Sequence, residues 1–243
     1  MRDSPGPATD WHFNPPSEVL KSRIFAGDGY LIVSGLFDEA TLRGLQSEAE
    51  CARADSTRQC VSESDGTEGR GGSPARAFRS SQGRELHWNL HGSPEMAAAL
   101  AGLCGARVSA TGSGSYSYYE EPGDFLAIHR DILQCDVTTI TCLTTGATNR
   151  VTGELTIYPN FICEPLSTVR AAGRQYGTVV ALELGHTVIL LGGLVPHEVT
   201  PICAGQNRIV SINCYRIEMC EDSDWQRTEE LRAKESDAGN FQQ

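Results

Sequence analysis

The sequence predicts a mainly β domain with flanking helices (α+β), built around a double-sheet jelly roll. From about residue 108 onward, short apolar and β-branched segments alternate with clusters of Gly, Pro, Asn and Asp. Helical periodicity is confined to the chain before that point and to its end. About eight short strands with no helix between them favour a jelly roll over a parallel α/β sheet. The chain, at 243 residues and 40% hydrophobic, is long enough for one well-buried core.

Three helices before the strands are predicted from their capping residues. Ser17, Asp38 and Ser93 each precede an apolar period and carry a side chain that can accept a backbone N–H. The first helix is expected to end near Gly27 and the third at Gly105. A short strand is predicted between the first two helices, at residues 30–33.

The main strands follow the third helix. They are predicted at residues 115–119, 125–131, 136–143, 153–158, 177–184, 187–192, 197–200 and 208–217.

Three segments lie outside this pattern. Residues 1–16 are expected to form an N-terminal arm, and residues 218–243 a charged helix or tail after a single domain at 17–217. Within the domain, residues 55–85 are rich in Gly, Ser and Arg and too long for an ordinary connection. We expect a mobile lid or binding loop there; a disordered insertion is the alternative.

Composition limits the possible partners and location. The formal net charge of −11 repels phosphate backbones, so no nucleic-acid partner is expected. No secretory signal and no membrane-spanning stretch is recognisable, so a membrane partner is not expected either. The nine cysteines form no C-x-x-C pair, and we expect reduced thiols in a cytoplasmic protein. A small-molecule substrate fits this profile, and a homodimer is compatible with it.

A candidate metal site lies in the segment FLAIHRD. Alternation in a strand would place Phe125, Ala127, His129 and Asp131 on one face. Two neutral imidazoles and one carboxylate suit Fe(II) and leave adjacent coordination positions open. The H-x-D triplet alone is weak evidence, because a half-buried His–Asp pair can be purely structural.

The downstream sequence adds a second histidine and an arginine. In GHTVILLGGLVPHEVTP an apolar strand and a Gly-Gly turn lead to His197, and Arg208 follows eleven residues later. A guanidinium in that position can bind the far carboxylate of a dicarboxylic co-substrate; a surface or interface ion pair is the alternative. His186 is the rival for the third ligand. His87 and His91 are interpreted as loop or cleft histidines near the lid, with substrate contact as the alternative.

These motifs resemble a known superfamily. The order H-x-D, a distant His and then an Arg is similar to that of the Fe(II)/2-oxoglutarate-dependent dioxygenases. FAGDGYLIVSGLFDEATLRGL resembles the phytanoyl-CoA-hydroxylase-like branch. GSYSYYEEPGDFLAIHRDILQCD and GGLVPHEV resemble the group of halogenases and hydroxylases of free amino acids. The resemblance implies a double-stranded β-helix (cupin-like) core, with Fe(II) as cofactor and 2-oxoglutarate and O₂ as co-substrates.

The resemblance also implies roles for individual residues. His129, Asp131 and His197 match the metal ligands, and Arg208 matches the ligand of the C5 carboxylate of 2-oxoglutarate. Many relatives have a Ser two residues after that Arg, where this chain has Val. A second hydrogen bond to the co-substrate is therefore expected from one of three other residues: Thr141, Tyr116 or Tyr118. For the two tyrosines, ordinary core packing is the alternative.

The implied reaction is hydroxylation of an unactivated C–H bond in a small molecule, such as a free amino acid or related metabolite. The related halogenases have a small residue in place of the carboxylate, whereas this chain retains Asp131. Hydroxylation is therefore expected, with halogenation, desaturation and cyclisation as alternative outcomes of the same site. Two other classes remain open: a cupin-like metal enzyme that does not use 2-oxoglutarate, and a non-catalytic binding barrel.

Five residues are candidates for substrate contact. Glu120 would suit an ammonium group, and Arg76, Arg79 or Asn213 would suit a carboxylate. Trp88 is the remaining candidate. The alternative for each is a solvated loop residue.

Overall fold

A computed structural model describes residues 17–67, 72–144, 153–162 and 164–218. The predicted arm at 1–16 lies outside these residues, as does the predicted C-terminal helix or tail from 219 onward. None of the helices in the described ranges is long and apolar enough to cross a membrane.

The second and third predicted helices begin where their capping residues predict. Asp38 accepts the Thr41 N–H at 2.7 Å, Ser93 accepts the Met96 N–H at 3.0 Å, and Gly105 ends its helix in the left-handed conformation. The first predicted helix is instead two short ones. The α-helices are α1 (Ser17–Leu20), α2 (Arg23–Ala26), α3 (Glu39–Arg53), α4 (Glu85–His91), α5 (Pro94–Cys104) and α6 (Leu166–Ala172), with 3₁₀ turns at Pro159–Phe161 and Arg174–Tyr176.

The strands pair antiparallel throughout. They are β1 (Tyr30–Val33), β2 (Thr57–Val61), β3 (Arg76–Gln82), β4 (Val108–Tyr119), β5 (Phe125–His129), β6 (Val137–Cys142), β7 (Leu155–Ile157), β8 (Thr178–Val180), β9 (Thr187–Leu190), β10 (His197–Val199) and β11 (Arg208–Ile217). Their spatial order is β1-β9-β6-β11-β4-β3-β5-β10-β7-β8, and β2 pairs with the free edge of β3.

Strand β3 joins two sheets. Its residues 79–82 pair with β4 in a major sheet, and residues 76–77 pair with β5 in a minor sheet. The two sheets face each other, since Ile140 and Val210 of the major sheet share a core cluster with Leu155 of the minor one. The predicted jelly-roll, or double-stranded β-helix, core is therefore confirmed.

Strands occupy much of the segment 55–85, for which the sequence predicted a mobile lid. Residues 57–61 and 76–82 pair as β2 and β3, so the prediction of a loop is wrong for them. Both faces of β3 carry polar residues. Arg76, Ser80 and Gln82 line a polar cleft on one face, and Arg79 and Ser81 lie on the other. A strand with two polar faces lacks the apolar alternation by which strands are recognised.

The outer face of the major sheet packs against α3. Leu45 and Ala49 of the helix contact Tyr116 and Tyr118 of β4 and Ile209 of β11. The inner face is thus left for the interior of the roll, where the candidate site lies.

The prediction of reduced thiols is wrong for one pair. Cys135, in the loop before β6, forms a disulfide with Cys214 of β11, with their Cα atoms 4.8 Å apart. The two residues are separated by 79 positions in the chain, so their pairing follows from the packing of β6 beside β11 and not from local spacing.

Candidate metal centre

Three side chains meet where β5 and β10 pair. His129 and His197 lie directly opposite each other in the antiparallel register, and Asp131 follows β5 by two residues. Asp131 Oδ1 is 3.5 Å from Nε2 of His129 and 3.5 Å from Nε2 of His197. One ligand atom from each residue lies within 4.8 Å of the others.

A bulge in β5 places the first histidine. His197 is opposite His129, but Val199 is opposite Leu126, so three steps on β5 match two on β10. Leu126 and His129 consequently both line the inner cleft. The predicted alternation, which put Phe125 and Ala127 on the face of His129, is interrupted by this extra residue.

Backbone carbonyls orient both imidazole rings. His129 Nδ1 lies 2.9 Å from the carbonyl oxygen of Ala127, and His197 Nδ1 lies 2.9 Å from that of Val195. Since a carbonyl can only accept, each Nδ1 must carry the proton and donate it. In the neutral ring the lone pair is then on Nε2, the atom that faces Asp131, as is usual for metal-bound histidine.

Two neighbours fix the Asp131 carboxylate. The Thr138 hydroxyl donates to Asp131 Oδ2, and the Asp131 N–H donates to the carbonyl of Gly192 at 2.8 Å. A Cβ on Gly192 would lie 1.9 Å from Asp131 Oδ2, so only glycine leaves room for this rotamer. Oδ1 alone faces the two histidines at the distances given above.

The charges of the site suit a cation. Burial alone would raise the pKa of Asp131, but the adjacent His197 and His129 hold it below its usual value. Burial and the neighbouring His197 lower the pKa of His129, which favours a neutral imidazole, whereas the adjacent Asp131 carboxylate outweighs burial and raises the pKa of His197. An ionised carboxylate and a neutral imidazole are the forms in which these groups bind metals.

The geometry fits a divalent ion held by three protein ligands. Ligand atoms about 2.1 Å from a common ion are roughly 3.0–3.5 Å apart, and Asp131 Oδ1 lies 3.5 Å from Nε2 of each histidine. Two histidines and one carboxylate on one face of the ion are typical of non-haem Fe(II) sites.

Arg208 begins β11 and belongs to the same inner face as Val210. Its Nη1 donates to the carbonyl of Gly153 at 2.8 Å, whereas its buried Nε has no hydrogen-bond partner in the described part of the chain. Burial lowers the pKa of Arg208, whereas the nearby Tyr119 and Glu154 oppose this shift. A buried guanidinium donor without a partner is what a carboxylate ligand would satisfy.

A cleft of about 500 Å³ is lined in part by His129 and Asp131. Arg76 is the one predicted substrate residue that lines it, and its Nη1 donates to Ser73 Oγ at 3.0 Å. Seven other lining residues are hydroxyl, amide or glycine residues of β3 and β4: Ser80, Gln82, Gly112, Ser113, Gly114, Ser115 and Ser117. Arg208 is not among the residues that line this cleft.

The other predicted substrate residues make contacts elsewhere. Glu120 pairs with Arg53 at 2.8 Å, and Arg79 donates to Ser56 through both Nε and Nη2. Trp88 Nε1 donates to the Gly83 carbonyl at 2.8 Å. Asn213 is buried outside the cleft. Their positions argue against the substrate contacts predicted for them.

The residues expected to give a second hydrogen bond to 2-oxoglutarate lie on the outer face. Tyr116 donates to Glu48 at 2.8 Å, and Tyr118 donates to the Ala49 carbonyl at 2.8 Å, both on α3. Thr141 contacts the Thr187 hydroxyl at 2.9 Å and is three residues along the strand from Thr138. Because alternate residues of a strand point to opposite faces, Thr141 faces away from Asp131. This placement argues against the predicted co-substrate contacts.

The rival histidines are separate from the metal group. His186 is partly exposed, and its Nε2 lies 3.8 Å from Glu183. His87 and His91 are not loop residues near a lid, as predicted, but buried residues of α4. Their rings contact Tyr116 and Tyr215, respectively, at centroid separations of 4.9 and 5.0 Å.

Sequence reasoning missed the support of Asp131. Thr138 gave no signal, because a threonine in a strand has a high β propensity whatever its contacts. Gly192 was visible in the Gly-Gly turn before His197, but only the fold shows that its Cα abuts the carboxylate.

Comparison with known proteins identifies the fold. No family model and no curated protein matches this chain. A prolyl-4-hydroxylase from Pseudomonas putida is 19% identical, with a TM-score of 0.56 over 83% of this chain and 98% of that one. EctD from S. alaskensis, solved with 2-oxoglutarate and 5-hydroxyectoine, is 17% identical, with a TM-score of 0.57 over 92% and 88%. The epimerase SnoN, solved with Fe³⁺, alpha ketoglutarate and nogalamycin RO, is 16% identical, with a TM-score of 0.59 over 84% and 85%. The chain therefore has the fold of the 2-oxoglutarate–Fe(II) oxygenases and carries a His-Asp-His group at residues 129, 131 and 197.

Proposed function

We propose that this protein is an Fe(II)- and 2-oxoglutarate-dependent oxygenase that hydroxylates an unactivated C–H bond of a small anionic metabolite, such as a free amino acid. The convergence of His129, Asp131 and His197 within 4.8 Å carries this proposal. Their two oriented imidazoles and one ionised carboxylate match the ligand set of non-haem Fe(II) oxygenases.

The protein residues bind and orient the reactants. Iron, 2-oxoglutarate and O₂ together supply the oxidising chemistry when bound. His129, Asp131 and His197 would hold the metal through Nε2, Oδ1 and Nε2. We assign Arg208 to the far carboxylate of 2-oxoglutarate, because its Nε is buried without a hydrogen-bond partner among the described residues.

The cleft favours an anionic substrate. Arg76 places a cation there, and Asp131 is the only carboxylate among the described residues that line it. No acidic side chain in the described part of the chain pairs with Arg76. The neutral hydroxyl and amide groups of Ser80, Gln82 and Ser117 suit the polar remainder of a small metabolite.

The retained carboxylate favours oxygen transfer. Asp131 occupies the position that the related halogenases leave open for chloride, and Thr138 and Gly192 hold it there. We therefore expect a hydroxylated product. Two proteins of similar fold are named as an epimerase and a carbocyclase, SnoN and SnoK, so product analysis must also distinguish those outcomes.

The experiment is a substrate screen. The protein is loaded anaerobically with Fe(II) and 2-oxoglutarate, then given O₂ and pools of amino acids and other small carboxylates in chloride-rich buffer. We expect succinate release coupled to a product that has gained one oxygen atom. Substrate-dependent product without succinate would indicate the cupin-like class that does not use 2-oxoglutarate. Metal binding with no turnover of 2-oxoglutarate in any pool would favour a binding barrel.

A pair of variants tests the anion site once a substrate is known. Arg76→Gln should raise the KM for substrate without changing the 2-oxoglutarate requirement, because it removes one of the two arginines, Arg76 and Arg130, that line the cleft. Arg79→Gln is the matched control, since Arg79 lies on the same strand and donates to Ser56 instead. Equal effects of the two variants on KM would exclude Arg76 from substrate binding.

A further inference from the structure

A disulfide lies next to the metal-binding carboxylate. The Thr138 hydroxyl, which donates to Asp131 Oδ2, is also 3.3 Å from the sulfur of Cys135. Cys135 is bonded to Cys214 of β11, and both cysteines line the same cleft as His129 and Asp131. A continuous path of contacts therefore joins the central strand β11 to the carboxylate.

The two oxygens of Asp131 have different surroundings. Oδ1 faces Nε2 of His129 and of His197, whereas Oδ2 accepts from Thr138 and packs against Gly192. Among the described residues, the Thr138 hydroxyl is the hydrogen-bond donor to Oδ2, and its loss would leave that oxygen unanchored. The carboxylate would then rotate about its Cβ–Cγ bond, because terminal torsions of this kind are broad.

The disulfide stabilises the segment that carries both residues. Asp131 and Cys135 lie in the loop between β5 and β6, and Thr138 follows one residue into β6. The bond to Cys214 fixes this loop to β11, the strand that pairs with β6 and β4. Removing the bond frees the sulfur of Cys135 to move. The Thr138 hydroxyl then loses the contact with this sulfur that helps to hold it in place.

We propose that Thr138 is a positioning residue for Asp131, and that the Cys135–Cys214 disulfide maintains this arrangement, so that its reduction weakens metal binding. The inference rests on the proposed metal site. Reduction breaks the S–S bond and gives two thiols, taking two electrons and two protons from a small dithiol. That dithiol is oxidised to its own cyclic disulfide, which balances the exchange. Metal affinity would thus depend on the thiol–disulfide balance of the surroundings.

The first test measures metal binding without turnover. Co(II) is titrated into metal-free protein, followed by its visible absorption, with the disulfide either intact or reduced by a dithiol that is removed before titration. Alkylation and mass measurement establish the number of free thiols in each sample. We expect reduction to weaken Co(II) binding by about tenfold, the lower end of the effect of disturbing groups that orient metal ligands.

A cysteine variant separates the disulfide from side effects of the reductant. Cys214→Ser cannot form the bond, so it should bind Co(II) like the reduced wild type and should not respond to dithiol treatment. Equal Co(II) affinity of oxidised and reduced wild-type protein would overturn the role of the disulfide. A response of Cys214→Ser to the dithiol as large as that of the wild type would overturn it as well.

The second test concerns the hydroxyl. Thr138→Val preserves shape but removes the donor and should weaken Co(II) binding about tenfold, whereas Thr138→Ser should restore it. Thr139→Val is the matched control, because Thr139 is equally buried but faces the other side of β6. Equal losses in Thr138→Val and Thr139→Val, or no rescue by serine, would overturn the role of Thr138.

These outcomes remain distinct from failure of the proposed function. If wild-type protein binds no Co(II), or if His129→Ala binds it equally well, the metal site itself is wrong. If Co(II) binding to the wild type requires His129, but neither reduction of the disulfide nor Thr138→Val changes the affinity, only this inference fails.

Discussion

The described residues include two pairs of buried histidines on opposite sides of the major sheet. His129 and His197 face the interior of the roll. His87 and His91 belong to α4 and pack against the outer face of the major sheet. All four are at most 8% exposed, so burial does not distinguish the pairs. Spacing along the chain is equally uninformative, because residues four apart on a helix are also a common arrangement for metal ligands.

Hydrogen bonding and the neighbouring carboxylate make the difference. In the inner pair both Nδ1 atoms donate to carbonyls, and both Nε2 atoms face Asp131. In the outer pair His91 Nε2 contacts the Cys214 carbonyl at 2.7 Å. Neither ring nitrogen of His87 has a hydrogen-bond partner of normal geometry among the described residues. An oriented second nitrogen and a shared ionised carboxylate are the features that metal-ligating histidines usually have, and only the inner pair has both.

The largest expected difference is in metal binding and turnover. His129→Ala and His197→Ala should each abolish turnover, because each removes one of three ligands. His87→Leu should retain metal binding and activity, since that residue only fills space behind the sheet. Binding and succinate release are measured on variants whose folding is confirmed by circular dichroism. An active His197→Ala alongside an inactive His186→Ala would show that the ligand assignment is wrong.

Two glycines sharpen the comparison. A Cβ on Gly192 would lie 1.9 Å from Asp131 Oδ2, and a Cβ on Gly83 would lie 2.1 Å from His87 Nδ1. Gly192→Ala should displace the carboxylate and lower Co(II) affinity by roughly 10–100-fold. Gly83→Ala should instead lower the free energy of unfolding by about 1–3 kcal/mol and leave Co(II) affinity unchanged. The assignment of the two faces would fail if the two effects were exchanged.

Two arginines extend the comparison to the co-substrate. Loss of one partner of a buried charged pair costs about 2–5 kcal/mol. Arg208→Ala should therefore raise the 2-oxoglutarate concentration needed for half-maximal turnover by roughly 30-fold or more. Arg79→Ala, on the outer side of β3, should leave it unchanged, because its donors already bind Ser56. The measurement is the rate of turnover at varied 2-oxoglutarate concentration. If Arg208→Ala needs the same concentration for half-maximal turnover as the wild type, Arg208 does not bind 2-oxoglutarate.

The smallest effect is the pH dependence of stability contributed by the outer pair. Burial, with a smaller effect of His91, lowers the pKa of His87 to about 4, while Glu48 opposes the shift. Between pH 6.5 and about 4 the unfolded chain binds a proton at this residue and the native protein does not. Stability of the metal-free protein should thus fall with decreasing pH, at up to about 1 kcal/mol per pH unit from this group.

The control for that pH dependence removes the titrating ring. His87→Leu should show a shallower decline than the wild type in urea unfolding measured across this pH range. An unchanged slope would mean that other groups, such as His91 or Glu48, account for the dependence.

The sequence predicts the jelly roll, and the three residues that it proposes as metal ligands lie together in the fold. Apolar alternation marks most strands of the interior, and the H-x-D triplet is local enough to be read without a fold. β2 and β3 are not recognisable, because their side chains are polar on both faces. The disulfide and the Thr138–Asp131 contact depend on the packing of β6, β11 and the loop before β6. Tyr116 and Tyr118 were placed on the correct strand, but only the packing of α3 shows which face they occupy.

The antiparallel pairing of His129 with His197 has a consequence for how the chain folds. The two imidazoles belong to strands 68 residues apart in sequence and become neighbours only when β10 joins β5. A bound ion would therefore cross-link β5 to β10 in the folded protein only. The unfolded chain would have almost no affinity for it. By mass action, each tenfold excess of metal over its dissociation constant would add about 1.4 kcal/mol to the free energy of unfolding. The concentration of free metal would thereby determine the free energy of unfolding of the domain, as well as its capacity to catalyse a reaction.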